Sequence, residues 1–370
     1  MRIGINALAV HEGKPGGDST YVRALIEHLP QVGTTEHWVI FVTPGGKRQL
    51  HPVQPSNVEL VVCSVPTSSL VARALWEQVV LPGYIRRARL DVLHAPVNVA
   101  PIATTTPIIL TLLEAEPFMP SIAMPAILRV WWRTMRSLSA RRAARVLAIS
   151  EQSRHELRTW MALDERRLFV TPLGVDAKRF APDGPARPKG VTEPYLLWVG
   201  RPNPRKNVPM LVEALALLRA RGRPERLVVA GPNGWAEDAI RSAARSAGCE
   251  DAVVRRAPLA DAELPAWYRG AAAFVFPSAH EAFGLPVLEA LACGTAVVGS
   301  DIPALREVGD NAIEYIRDLS PSGVAEAILR VLDVTPAERG ERRLQGLQRA
   351  QAYSWINTAS ATLEHYRAVA

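Results

Sequence analysis

The chain has 370 residues, 48% of them hydrophobic and 21% charged, which is enough apolar material for two cores and excludes a disordered chain. Its net charge of +7 and pI of about 9.6 favour acidic partners such as phosphates, anionic lipid or nucleic acid. The cysteines Cys63, Cys249 and Cys293 are odd in number and form no metal pattern, no run of about 18 apolar residues exists to span a membrane, and the start MRIGINALAV meets Glu12 and Lys14 too soon for a leader, so a protein of the reducing cytoplasm is expected.

In chain order, residues 2–6 read as a short strand and 7–18 as a loop holding Gly13, Gly16 and Gly17. A helix over 21–29 follows, with Asp18 or Ser19 as its cap. Glycines between a strand and a helix let backbone amides approach a phosphate closely, although the spacing is not G-x-G-x-x-G, and a plain flexible loop is the alternative. Strand character recurs at 38–43 and 58–62, and 69–89 reads as helical with a break at Leu81-Pro82-Gly83. A strand over 91–94 runs into His94-Ala95-Pro96-Val97-Asn98, which sets a histidine at a strand's carboxyl end; a buried structural histidine is the alternative. Residues 107–113 form a hydrophobic strand that ends at Glu114.

Residues 126–145 read as a basic amphipathic helix, with Trp131 and Trp132 among Arg129, Arg133, Arg136, Arg141, Arg142 and Arg145. Such a helix docks on anionic lipid headgroups, or it packs its tryptophans on the sheet and leaves its arginines in water. Nucleic acid would need stacking platforms along a groove, and nothing else in the chain supplies them. A strand over 146–149 precedes a helix over 151–162 that Ser150 caps.

Residues 182–194 are rich in Pro and Gly and read as a linker. A strand over 195–199 then leads into Gly200-Arg201-Pro202-Asn203-Pro204-Arg205-Lys206-Asn207 and a helix over 209–221. Arg holds two phosphate oxygens at once and Lys supplies a point charge, so this loop suits a leaving diphosphate whose negative charge grows as its bond breaks. A basic loop before a helix is the plainer reading. No D-x-D stands at a plausible strand end, so no metal is implied. Strands at 227–230 and 253–256 and a helix over 262–268 follow.

Residues 274–298, FVFPSAHEAFGLPVLEALACGTAVV, read as strand, loop and short helix, with Pro286 at the helix start and Gly294 stopping it. Glu281 lies in the loop and Glu289 on the helix. A loop carboxylate at a strand's carboxyl end faces the crevice where open α/β sheets bind ligands, and a helix N-terminus favours a diphosphate. Glu289 suits the neighbouring hydroxyls of a ribose, which leaves Glu281 for a second polyol; two ordinary surface charges are the alternative. A strand over 296–299, a loop over 300–303, a helix that Arg306-Glu307 begin and a terminal helix over 353–369 complete a strand–helix alternation that argues a parallel, doubly wound sheet.

SAHEAFGLPVLEALACGTAVVGSDIPALREV resembles the E-x7-E segment of the retaining GT-B glycosyltransferases of family 4. The loop 200–207 resembles that family's G-R-x(n)-R-K-N phosphate clamp, Val170 to Phe180 its inter-domain hinge with Leu173 in place of Asn, and ARVLAISEQSRHEL its strand-to-helix junction. His94-Ala95-Pro96-Val97-Asn98 is similar to its H-x-P-N segment.

The resemblance implies an α/β chain of GT-B fold: two Rossmann-like domains facing each other across a cleft. Residues 1–175 would bind the acceptor, 176–353 the nucleotide sugar, and a helix over 354–370 would cross back to the first domain. It implies metal- and cofactor-free transfer of a hexose, with retention, from a nucleotide diphosphate sugar to a hydroxyl of a glycan or lipid-linked glycan. Arg201, Arg205 and Lys206 would neutralise the diphosphate, Glu289 hold the ribose, and Glu281 orient the transferred sugar. Ala282, Phe283, Gly284 and Leu285 would add backbone donors, residues 256–259 would lie beside the base, and Gly16 and Gly17 would close over donor and acceptor. His94 joins the catalytic candidates, and Glu114 and Ser150 the substrate-binding ones.

Many members continue the strand at 107–113 with His-Asp, where this chain has Leu113-Glu114. The family's front-face mechanism needs no protein nucleophile, so activity can survive that change; a nucleotide-sugar-binding subunit of impaired activity is the second reading. Trp76-Glu77-Gln78 and His94-Ala95-Pro96 look like mannosyltransferases of lipopolysaccharide and other surface-polysaccharide assembly, which makes GDP-mannose the expected donor. A lipid-linked acceptor would suit the basic helix and hold the enzyme peripherally at an anionic membrane surface.

Overall fold

The computed structural model describes residues 1–10, 16–50, 55–66, 70–120, 122, 124–186 and 194–370, so Gly13 of the first glycine loop lies outside the described residues. The chain divides into two compact units, Met1–Gly174 with Trp355–Ala370, and Val175–Ser354.

The first unit is built on seven parallel strands: β1 (Arg2–Asn6), β2 (His37–Val42), β3 (Val58–Val62), β4 (Val92–Ala95), β5 (Ile108–Leu112), β6 (Arg145–Ala148) and β7 (Leu168–Val170). Their order is β3-β2-β1-β4-β5-β6-β7, so the winding reverses between β1 and β4. The central strands are buried along nearly their whole length, as continuous apolar runs such as IILTL demand once helices cover both faces. The terminal helix Trp355–Arg367 packs on the helix Gly17–Val32. Its Tyr366 meets Trp38 edge-on at 6.2 Å, and Arg367 holds the Glu36 carboxylate at 2.7 Å.

Three local expectations change. The first helix starts at Gly17 with Gly16 as its N-cap, so Asp18 and Ser19 sit inside the first turn instead of capping it. Asp18 favours the helix there through the positive N-terminal end of the dipole. The segment 69–89 contains two helices, Leu70–Val79 and Leu81–Ala88, because Pro82 is tolerated in a first turn where no N–H is needed. The basic helix spans Ala126–Arg142, and several of its arginines are not simply solvated. Arg129 donates to the Met119 carbonyl at 2.8 Å, Arg133 to Pro117 at 2.8 Å and Arg142 to Thr104 at 3.1 Å, which ties down the loops before and beneath the helix.

The second unit has six parallel strands: β8 (Tyr195–Val199), β9 (Arg226–Ala230), β10 (Val253–Arg256), β11 (Ala273–Phe276), β12 (Val297–Ser300) and β13 (Glu314–Ile316), in the order β10-β9-β8-β11-β12-β13. Its winding reverses between β8 and β11. Two helices not expected from the sequence follow β13: Pro321–Leu332 packs on the helix Val208–Ala220 and Pro336–Gln351 on the helix Leu285–Ala292. Each opens on a proline in its first turn, and Thr335 and Glu338 form a capping box on the second. Among the described residues no helix is long and apolar enough to cross a membrane.

Candidate functional site

In an open parallel sheet, the loops after the two strands that flank the reversal part company and leave a crevice. In the second unit those strands are β8 and β11, and the loops that follow them carry Arg201, Arg205, Lys206 and Glu281. Glycines set the spacing. A Cβ on Gly231 would lie 1.8 Å from the Gly200 carbonyl oxygen, and one on Gly234 would lie 1.8 Å from that of Pro202. The loops after β8 and β9 therefore run backbone against backbone, and the Asn233 carbonyl accepts from Arg201 Nη1 at 3.2 Å.

The loop after β8 continues as a single turn, Pro204–Lys206, and closes on Asn207 in the left-handed region at φ 51°. Asn207 Nδ2 donates to the Pro277 carbonyl at 2.9 Å, and the Ala279 amide donates to the Arg205 carbonyl at 2.7 Å. These two bonds stitch the loop 200–207 to the loop after β11. Across the seam the Lys206 ammonium forms an ion pair with Glu281, with only 14% and 10% of the two side chains exposed. The same ammonium lies 4.7 Å from the centre of the Phe276 ring. A pair this enclosed costs desolvation and is strongly destabilising when one partner is removed.

Gly284 caps the helix Leu285–Ala292 at φ 113°, and a Cβ there would fall 2.8 Å from Leu305. Only glycine takes that position without strain, and the turn it makes sets Ala282, Phe283 and Leu285 around the helix N-terminus. Phe283 is buried edge-on against Tyr353 at 5.7 Å. In its first turn Pro286 has no N–H, and the Val287 and Leu288 amides donate to the Gly284 carbonyl at 3.0 and 3.3 Å.

Glu289 lies one turn in. It takes the Tyr268 hydroxyl on Oε2 at 2.9 Å, and burial pushes its carboxyl up to about 7. Tyr268 is itself held through its carbonyl, which accepts from Thr295 Oγ1 at 2.7 Å. The sequence reading did not single out Tyr268, Gly231 or Gly234. An aromatic residue in a helix reads as core, and the two glycines signal their role only once β9 is known to lie beside β8.

In the first unit, Gly16 and Gly17 are exposed at the start of the first helix, and a Cβ on Gly16 would meet nothing within 4 Å. Asp18 follows them; desolvation and then the Glu114 carboxylate raise its pKa, against Arg136 and Arg73, which lower it. The helix start, Glu114 and Arg136 thus share one electrostatic environment. Arg136 is 6% exposed and donates to the Glu114 carbonyl at 2.6 Å, with the carboxylate at 3.5 Å. Leu113 stands where many family members have His. Its side chain is buried, its amide donates to Asn98 Oδ1 at 2.9 Å, and its carbonyl accepts from Ser153 Oγ at 3.1 Å.

Two candidates from the sequence are corrected. His94 has no exposed surface; Nε2 lies 2.9 Å from Thr111 Oγ1 and Nδ1 2.6 Å from the Tyr366 hydroxyl. Burial pushes its imidazole down to about 3. With both nitrogens spent on core partners it is a structural link between β4, β5 and the terminal helix. Ser150 is likewise fully buried, and its hydroxyl accepts the Ser153 amide at 2.8 Å. It acts as a helix cap, which is how its place before the helix read, and it offers no surface to a substrate.

The sequence signature described as Glycosyl transferases group 1 matches residues 193–334, and that of Glycosyltransferase Family 4 matches residues 15–179. The chain belongs to the family 4, group 1 glycosyltransferases. Its relatives include the D-inositol 3-phosphate glycosyltransferase of Kineococcus radiotolerans, 36% identical over 61% of this chain and 57% of that protein. Another is the O-antigen chain mannosyltransferase B of Escherichia coli, 30% identical over 60% of each chain. The match thus spans less than two thirds of the length of either relative.

Solved structures resemble this family 4 chain over its whole length. Sucrose-phosphate synthase from Thermosynechococcus elongatus superposes with a TM-score of 0.81 at 22% identity, covering 100% of this chain and 98% of that one. Anabaena HepE, solved with UDP and glucose, gives 0.74 at 17% identity with both chains covered fully. At such identities these likenesses speak for the fold alone, which is the GT-B pairing of two parallel-sheet α/β units.

Proposed function

We propose that this family 4 chain is a retaining hexosyltransferase that uses a nucleotide diphosphate sugar. The observation that carries this reading is the Lys206–Glu281 ion pair, drawn from two loops at the sheet reversal, beside a helix N-terminus whose first turns carry Glu289. Lys206, Arg205 and Arg201 would take the diphosphate oxygens, the backbone amides from Ala282 to Leu285 would add to them, and Glu289 would accept the ribose hydroxyls through the oxygen that Tyr268 leaves. Glu281 would then align the hydroxyls of the transferred sugar.

In the reaction the bond from the anomeric carbon to the diphosphate oxygen breaks, and its electron pair leaves with the diphosphate. The acceptor hydroxyl attacks from the same face and passes its proton to that departing oxygen. Cationic groups aimed at the diphosphate act where the negative charge grows, which is where such groups accelerate a reaction most. Acceptor recognition is assigned to the first unit, around Gly16, Gly17 and Glu114.

Mannose from GDP-mannose is the donor we favour, and a glycan or lipid-linked glycan at the cytoplasmic face of a membrane the acceptor. The mannosyltransferase relative from Escherichia coli supports that order of preference, and HepE with UDP and glucose keeps uridine donors in the test. Thermal-shift titration with GDP, UDP, ADP and dTDP sugars tests the donor: one should raise the melting temperature, and if none does the donor site is wrongly assigned. Release of nucleoside diphosphate on addition of an acceptor then tests turnover. The buried Leu113 in place of the family's histidine keeps a second reading in play, a donor-binding subunit of impaired activity, and stabilisation without turnover across a broad acceptor panel would favour it.

A further inference from the structure

The second unit carries another concavity at the opposite end of its sheet from the donor loops. Its lining includes Pro194, Ala272 and Ala296, the residues that immediately precede β8, β11 and β12. It therefore opens at the amino ends of the strands whose carboxyl ends lead to Arg201 and Glu281. Its volume is about 520 Å³, larger than one inorganic anion needs and within the range of small-ligand clefts.

Arg223, Arg269, Arg339, Arg342 and Arg343 line it, and among the described lining residues Glu225 is the lone carboxylate. Part of this charge has a structural use. Arg223 pairs with Asp333 at 3.0 Å, Arg342 shares Glu314 with Arg330, and Arg269 holds the Ala181 and Pro185 carbonyls, each at 2.9 Å. Three helices, Leu264–Gly270, Leu285–Ala292 and Pro321–Leu332, also end at this rim, and each C-terminus presents roughly half a negative charge.

Arg339 and Arg343 stand apart from this accounting. Both are exposed, and the carbonyls they reach, Leu332 at 3.5 Å and Pro182 at 3.4 Å, lie at the long limit of a hydrogen bond. Gly294, at φ 72°, brings the turn after the helix Leu285–Ala292 so close that a Cβ there would sit 2.7 Å from Arg343 Nε. Val331, Leu332 and Val334 give the basin an apolar wall beside these guanidinium groups. Planar forks over a cavity with an apolar wall match a phosphate monoester on an organic body, which the forks grip bidentately while the wall covers the body.

We propose that this basin is a second anion site, separate from the donor site, that binds a small organic phosphate monoester such as a sugar phosphate or a nucleoside monophosphate. Calorimetric titration of the full chain with glucose 6-phosphate, AMP and inorganic phosphate at physiological salt tests it and separates the two sources. One organic ester should bind saturably, and roughly tenfold or more tighter than inorganic phosphate, in the wild type and in Lys206→Ala alike. The double variant Arg339→Gln/Arg343→Gln should melt at the wild-type temperature, keep its nucleoside diphosphate binding, and weaken that ester roughly tenfold or more. The proposal is overturned if neither ester binds saturably, or if inorganic phosphate binds as tightly as both. It also falls if the signal vanishes in Lys206→Ala and survives in the double variant.

Discussion

Lys206 and Glu281, 75 residues apart in sequence, meet as a nearly buried ion pair across the seam between the loops after β8 and β11. The pair joins the two loops, and in the proposed function it would set a cation in position for the diphosphate. Glu281→Ala should lower kcat by roughly 10²–10³-fold while nucleoside diphosphate binding changes little. Lys206→Ala should lower kcat to a similar degree and also weaken that binding. Because each single change strands the other charge, the double variant should lose less than the sum of the two, by about 1–3 kcal/mol of coupling. Steady-state release of nucleoside diphosphate measures all three, and additive losses would remove the pair from the mechanism.

Glu289 supplies a pH dependence. Burial holds its carboxyl at about 7, so in the proposed role it would meet ribose hydroxyls as a carboxylate mainly above that pH. The donor KM of the wild type should fall as pH rises from 6 to 8 through that value, and Glu289→Gln should show a flat, weaker profile. In the donor-free protein the sign runs the other way. The folded pKa lies above the ordinary 4.5, so the contribution of Glu289 to stability is complete below that value and is lost as pH rises toward 7. Glu289→Gln should remove that slope from the melting curve.

His94 should behave as a core residue. His94→Ala leaves the Thr111 and Tyr366 hydroxyls buried without their partner and should cost about 2–4 kcal/mol, with kcat per folded molecule unchanged. Burial holds its pKa near 3, below the ordinary 6.5, so the stability it contributes is present above 6.5 and fades as pH falls toward 3. Denaturant unfolding across that window should be steeper in pH for the wild type than for His94→Gln. A change in the pH profile of kcat in that variant would restore a catalytic role.

Gly231→Ala should damage the donor site directly. The new Cβ would fall 1.8 Å from a backbone oxygen, so the loop carrying Arg201 must move, and donor affinity should drop with a stability loss of about 2 kcal/mol or more. Gly340→Ala is the control: it lies in a helix with nothing within 4 Å of its Cβ and should stabilise the protein by about 0.5–1 kcal/mol. Equal melting temperatures for the two variants would contradict the close approach of the loops.

The paired α/β units were legible because their signals are local. Continuous apolar strands, prolines in first turns and the Gly284 and Gly294 boundaries can each be read within a few residues. So could the residue types that gather at the donor loops, since a basic loop after one strand and a carboxylate after another have few other uses together. The helix Pro336–Gln351 carries no apolar stripe to mark it, although its Thr335–Glu338 capping box and its run of Ala, Glu, Arg, Leu and Gln are local helix signals that the sequence reading did not use.

The sequence by itself determined the alternation of elements and the chemistry available at each strand end. Only the tertiary structure decided which of those groups meet. Lys206 reaches Glu281 because β8 and β11 are neighbours in the sheet although 73 residues of chain lie between their ends, Tyr268 reaches Glu289 because the helices before and after β11 pack together, and His94 is sealed because the terminal helix lays Tyr366 over it. Pairing across a sheet and burial under a distant helix are properties of the packed chain, and no short window of sequence records them.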